Sequence, residues 1–302
     1  MTLLIISASF RGVGAQMRFS VLSILVFVLL VSSRVPGAWA LTNSVPALST
    51  HDAYDVWIRT DAVDDQGDSA PGYCNASLLD ARTLVSAAHC FQYAVQLNSR
   101  NIRVTTGAYK WVTRPDGSPF RVGYVSNPDA VLQATFVFLP SVQAELQSDA
   151  QSAGSVSISP DEDLALAVLD EPLSLPADFP FAKPLPVSAF AQVQDSIESF
   201  GPEVLAVNPV AQVGTTDIRR IATLDSVSWA YPGFFKSQSS SQLEEGDSGA
   251  PLIVLYQGQH YLAGVVKGHG TMLWMSWDAF APLGTSLCTL MRSIGRTPSY
   301  CF

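Results

Sequence analysis

Short apolar runs, each closed by Gly, Pro, Asn, Asp or Ser, recur along most of the chain. Val56-Trp57-Ile58, Ala76 to Leu79, Thr83-Leu84-Val85, Ile102-Arg103-Val104 and Leu132 to Leu139 are of this kind. So are Leu164 to Leu169, Ile221 to Val227, Pro251 to Tyr256 and His260 to Val266. They are rich in β-branched and aromatic residues, and several alternate in polarity, which predicts β-strands. Many short strands with few helical periods predict an all-β barrel or sandwich. The best helix lies over Leu283 to Ile294, where Leu287, Leu290, Met291 and Ile294 fall on one helical face. Ala144 to Asp161 and Ser237 to Gln242 read as exposed loops, and the Pro-rich Ala182 to Val187 as a junction between two halves.

The longest apolar run, Val21 to Val31, has a different character. Met17-Arg18 precedes it and Ala38-Trp39-Ala40 follows it, giving the charge, apolar core and small-residue site of a secretory signal. A spanning helix needs about 20 apolar residues, and Arg34 and Pro36 interrupt this run early. Residues 1–40 are therefore expected to be a signal peptide, with Met17 as a possible true start. The mature chain is then exported, extracellular or periplasmic, with no stable membrane anchor. Cleavage removes Arg11, Arg18 and Arg34 and no acid, taking the formal charge from −9 to −12.

With 302 residues, 48% of them hydrophobic and 14% charged, the chain can bury a core and is not disordered overall. The acidic balance argues against nucleic acid as a partner, which needs clustered Lys and Arg. The only lysines are Lys110, Lys183, Lys236 and Lys267. Four cysteines allow three pairings. Two local pairs, Cys74–Cys90 and Cys288–Cys301, are the simplest arrangement, and export makes disulfides plausible. Neither pair has metal-binding C-x-x-C spacing, so no metal is expected.

Three segments carry candidate chemistry. Ser86-Ala87-Ala88-His89-Cys90 places a histidine at a strand end, rigid enough for a general base. Gly246-Asp247-Ser248-Gly249-Ala250-Pro251 sets a serine on tightly turning backbone, where the N–H groups of Gly246 and Ser248 can form a two-donor oxyanion hole. Asp163 opens the apolar run to Leu169 and can orient an imidazole, with Asp161 and Glu162 as adjacent competitors. The order His89, Asp163, Ser248 is one known solution for a Ser-His-Asp triad. The α/β-hydrolase order fails, because no acid lies between Ser248 and either later histidine, His260 or His269.

At these residues the chain resembles the chymotrypsin/trypsin family of serine proteases, over roughly Tyr54 to Ile294. Cys74-Asn75-Ala76-Ser77-Leu78-Leu79 is similar to the family's C-G-G-S-L-I strand, with both glycines changed. Gly246 to Pro251 is similar to G-D-S-G-G-P, with Ala250 for one glycine. Ala263-Gly264-Val265-Val266 resembles the strand leading to the substrate-binding segment. The resemblance implies two antiparallel six-stranded β-barrels, at about 50–180 and 188–282, a C-terminal helix and tail at 283–302, and an active site between the barrels.

It also implies peptide-bond hydrolysis on a protein or peptide substrate, without a cofactor, by a monomer. A catalytically silent binding protein on the same fold, or an esterase using the same triad, are the alternatives. The family's pocket-floor position is Gln242 here, and Lys267-Gly268-His269 stands where S-W-G is usual, which predicts weak charge preference at P1. In the family a freed N-terminus pairs with the acid before the nucleophile. Here that acid is Asp247, and Leu41, exposed by signal cleavage, is the expected partner.

Overall fold

The computed structural model describes residues 45–46, 54–63, 69–113, 119–125, 131–149, 158–175, 177–207, 219–238, 243, 246–272 and 275–302. The predicted signal peptide, Leu41 and Gln242 lie outside them, as do Glu244 and Glu245. Among the described residues no helix is long and apolar enough to cross a membrane.

The first sheet is built from β2 (Asp55–Val63), β3 (Ser69–Leu78), β4 (Thr83–Ser86), β5 (Asn101–Thr113), β6 (Pro119–Val125), β7 (Leu132–Phe138) and β8 (Ala165–Leu169). Its order is β2-β3-β4-β8-β7-β5-β6, and β2 also pairs with β5, so six strands close into a barrel while β6 extends the β5 edge. Closure leaves the barrel without an open sheet edge at β2 or β5. β4 is buried at every position, and so is all of β8 except half-buried Val168, which is why these segments read as continuous apolar runs.

The second sheet contains β1 (Val45–Pro46), β9 (Glu203–Val207), β10 (Arg219–Thr223), β11 (Val227–Ala230), β12 (Phe234–Ser237), β13 (Pro251–Tyr256), β14 (Gln259–Met272) and β15 (Met275–Pro282). Its order is β1-β10-β9-β13-β14-β15-β12-β11. This half differs from a closed six-stranded barrel: β10 and β11 sit at or near opposite ends of the order, so the sheet curls without closing. The fold is all-β and chymotrypsin-like.

Among the described residues the α-helices are α1 (Gln92–Gln96), α2 (Pro140–Asp149), α3 (Val187–Ser196) and α4 (Gly284–Ser293). In α4, Leu287, Leu290 and Met291 are buried and join the core of the first barrel, although the helix follows the second sheet in sequence. Arg296, just past the helix, donates to Thr83 Oγ1 and pairs with Asp80 Oδ2, both at 2.7 Å, fastening the chain end to β4 and the turn before it.

Two expectations change. Ile221 to Val227 is not one strand; the chain turns at Asp225-Ser226, and Leu224 N–H donates to Pro202 at 2.9 Å. The turn chemistry of Asp and Ser outweighs the flanking apolar residues there. The first part of the Ala144 to Asp161 loop is the helix α2, which begins at Pro140, a residue suited to a first helical turn. Ala182 to Val187 bonds to both sheets: Ala182 N–H to Leu78 of β3, Leu185 N–H to Leu262 of β14, and Leu262 N–H back to Lys183, before α3 begins at Val187.

Candidate active site

Strand register brings two of the three chemical segments together. β4 and β8 are antiparallel, with Ser86 opposite Ala165. The end of β4 and the start of β8 therefore share one rim of the barrel. His89 lies three residues beyond Ser86, on a 3-10 turn, Ala88–Phe91, and Asp163 lies two before Ala165. On that rim Asp163 is fully buried. Its Oδ1 accepts the backbone N–H of His89 at 2.9 Å, and its Oδ2 lies 2.7 Å from His89 Nδ1.

The competitor acids are turned elsewhere: Glu162 accepts from Ser141 Oγ at 2.7 Å, and Asp161 accepts from Ser159 Oγ. The Cys74–Cys90 disulfide clamps the residue after His89 to β3. Those two sulfurs and the His89 ring come close together, but a disulfide offers no thiolate to a metal. The second disulfide, Cys288–Cys301, ties α4 to the C-terminus.

The Gly246–Ala250 loop is held against the same strand. Asn75 N–H donates to the carbonyl of Ser248, and Asn75 Nδ2 donates to the carbonyl of Gly246, each at 2.7 Å. On its other side, Gly249 N–H bonds Val266 and Val266 N–H bonds Ala250, each at 2.8 Å, so β14 braces the loop. Gly249 has φ +79°, and a Cβ there would lie 2.1 Å from both Asn75 O and Ser86 Oγ; only glycine fits. Ala250, which replaces a glycine of the family pattern, is instead fully buried in the second core. Gly246 has φ +99° with open space where a Cβ would stand, leaving its peptide approachable. Among the described residues the Ser248 hydroxyl makes no hydrogen bond, so the acid–imidazole contact is formed and the serine–imidazole contact is open.

A family model, Trypsin, matches residues 62–272. The chain belongs to the trypsin family. No curated protein matches it significantly.

Within a trypsin-family frame, the residues expected to line the substrate segment are otherwise engaged. Lys267 Nζ lies 2.9 Å from Asp163 Oδ2, so its charge is directed at the buried acid. His269 Nδ1 lies 2.8 Å from Asp278 Oδ1. Asp278 is buried, and its Oδ2 also accepts the Leu243 N–H at 3.3 Å. Gly268, between them, has φ +149° and open space where a Cβ would stand. Asp247 is buried at 3% exposure.

The sequence showed Asn75 only as a changed glycine of the C-G-G-S-L-I pattern and gave it no role. The strand buries it fully, with its neighbours Ala76 and Ser77. The signal was present: a polar residue stands where the resemblance expects glycine, beside a cysteine.

The electrostatics of Asp163 follow from these contacts. Burial pushes its carboxyl upward, but His89 and Lys267, by charge and hydrogen bond together, outweigh that and hold it below its ordinary value. The carboxylate is therefore charged in the neutral range and able to hold the His89 ring with its proton on Nδ1.

Proposed function

We propose that the protein is an exported serine endopeptidase that cleaves peptide bonds through an acyl-enzyme. The observation that carries this reading is the 2.7 Å contact of His89 Nδ1 with buried Asp163, on the rim beside the Gly246–Ser248 loop.

In this reading Asp163 fixes the tautomer, leaving His89 Nε2 as the acceptor. Ser248 Oγ attacks the substrate carbonyl carbon and its proton passes to Nε2. The oxyanion is held by the N–H groups of Gly246 and Ser248, and the Asn75 side chain on the Gly246 carbonyl holds the peptide between those two donors. His89 then gives the proton to the leaving amine, and water repeats the sequence on the acyl-enzyme. The open Ser248–His89 contact closes on substrate, as such hydrogen bonds commonly tighten only in the Michaelis complex.

Export rests on the tripartite pattern of residues 1–40, and the two disulfides agree with an oxidising compartment.

A fluorophosphonate tests the reading. Labelling of Ser248 in the folded mature protein supports a hydrolase, and its absence favours a silent binding protein. Turnover of a protein substrate beside a simple ester separates a peptidase from an esterase.

A further inference from the structure

Lys267 is the extra residue of a β-bulge. The register of β14 against β15 runs Val266 to Phe280 and then Gly268 to Ala279, so Lys267 has no cross-strand partner. Such bulges re-aim a side chain. Here the preceding residue, Val266, is hydrogen-bonded to both Gly249 and Ala250 of the serine loop. The bulge therefore starts from a fixed point beside the site and sends the lysine across it to Asp163.

Lys267 and His89 meet the same carboxylate oxygen, Oδ2, at 2.9 and 2.7 Å. With His89 neutral, the lysine and the carboxylate already cancel. When His89 takes a proton, two cations share one anion, and the lysine opposes that step. Among the described residues no other charged group meets that carboxylate. Asp163 is faced by His89 from the 3-10 turn and by Lys267 from β14, while Asp161 and Glu162 face Ser159 and Ser141. The other close group at the ring is Cys90 Sγ, 3.9 Å from Nε2, which is in a disulfide and does not titrate. A serine, usual in the family at this position, brings no charge.

We propose that Lys267 is a positioning residue that extends the working range of the site toward acid, by meeting the carboxylate oxygen that holds His89. This rests on the hydrolase reading above. The lysine keeps His89 unprotonated, and so able to accept the serine proton, at acidities where an uncharged residue would let it protonate. In the same contact it anchors the carboxylate against rotation, since Oδ1 is held by the His89 backbone N–H and Oδ2 by His89 Nδ1 and Lys267 Nζ.

The test is the pH dependence of fluorophosphonate labelling and of kcat/KM in the mature protein. It compares wild type with Lys267→Gln, which keeps an N–H donor without the charge, and Lys267→Arg, which keeps the charge. The Gln variant is expected to move the acid limb of both profiles up by about one pH unit. The readout is the position of that limb, whatever the plateau rate, and the Arg variant should keep the limb of wild type. Thermal melting at neutral pH checks that each variant folds, and Lys267→Met replaces Gln if Gln does not. Labelling with coincident acid limbs in wild type and the uncharged variant overturns this inference alone. A folded wild type that never labels overturns the hydrolase reading and this inference with it.

Discussion

Asn75 donates its backbone N–H to the carbonyl of Ser248 at 2.7 Å. The residue before it, Cys74, is bonded through sulfur to Cys90, next to His89. One dipeptide of β3 thus holds both the imidazole's turn and the serine's loop, which come from segments far apart in sequence. A shift of β3 would move the two together.

Truncating the Asn75 side chain isolates one part of that link. Asn75→Ala leaves the Gly246 carbonyl without its buried donor, a loss typically near 1–3 kcal/mol. The expected result is about a tenfold lower kcat with a smaller change in KM, because the peptide that Asn75 holds lies between the two N–H groups that serve charge developing in the transition state. Asn75→Gly should behave alike. Steady-state kinetics on a peptide substrate check this, and a change confined to KM would contradict it.

Ser248→Ala and His89→Ala should each lower kcat by about 10⁶-fold, and the double variant little further, since nucleophile and base act as a unit. Asp163→Asn should cost about 10⁴-fold by favouring the wrong tautomer. Asp161→Asn should be close to neutral, because its carboxylate faces Ser159. Additive losses would sink the triad assignment.

Asp163 also links stability to pH. Its folded carboxyl titrates below its unfolded value of about 3.9. The resulting stabilisation is fully present above that unfolded value and is lost as pH falls through the folded one. Wild type should therefore melt higher than Asp163→Asn near neutral pH, and the gap should shrink below about pH 4. Calorimetry across that range reads the difference; a gap that widens with acid would have the wrong sign.

Specificity should show little charge preference at P1. The two basic residues of the expected substrate segment, Lys267 and His269, are each engaged by a carboxylate, and Asp278 is buried against His269. Gln242, at the pocket-floor position, is neutral. A P1-varied peptide library should give less than about 100-fold preference, some 2.7 kcal/mol, for Arg or Lys.

Activation is expected to need a free N-terminus. A buried carboxylate such as Asp247 requires a compensating partner, and the α-amine of Leu41 is the proposed one. β1, Val45–Pro46, a few residues beyond Leu41, pairs with β10 in the second sheet and gives this stretch an attachment. Mature protein beginning at Leu41 should be active, and the same protein with an uncleaved Gly-Ser extension should lose most activity. Equal activity would assign the role to an internal Arg or Lys.

Much of this protein was legible in its sequence because the signals are local. Apolar runs bounded by turn residues marked most of the strands, and Leu287, Leu290 and Met291 marked the buried face of α4. The segments around His89, Asp163 and Ser248 were identifiable because each carries its own backbone context. Tertiary structure decided what depends on register and direction. Pairing of Ser86 with Ala165 put Asp163, and neither acidic neighbour, in contact with His89. The bulge after Val266 turned Lys267 from the substrate segment onto that acid. The register of β3 made Asn75, a changed glycine in the sequence pattern, a brace for the serine loop. A side chain's partner lies across strands that the chain reaches only after closing the barrel, so no local pattern encodes it.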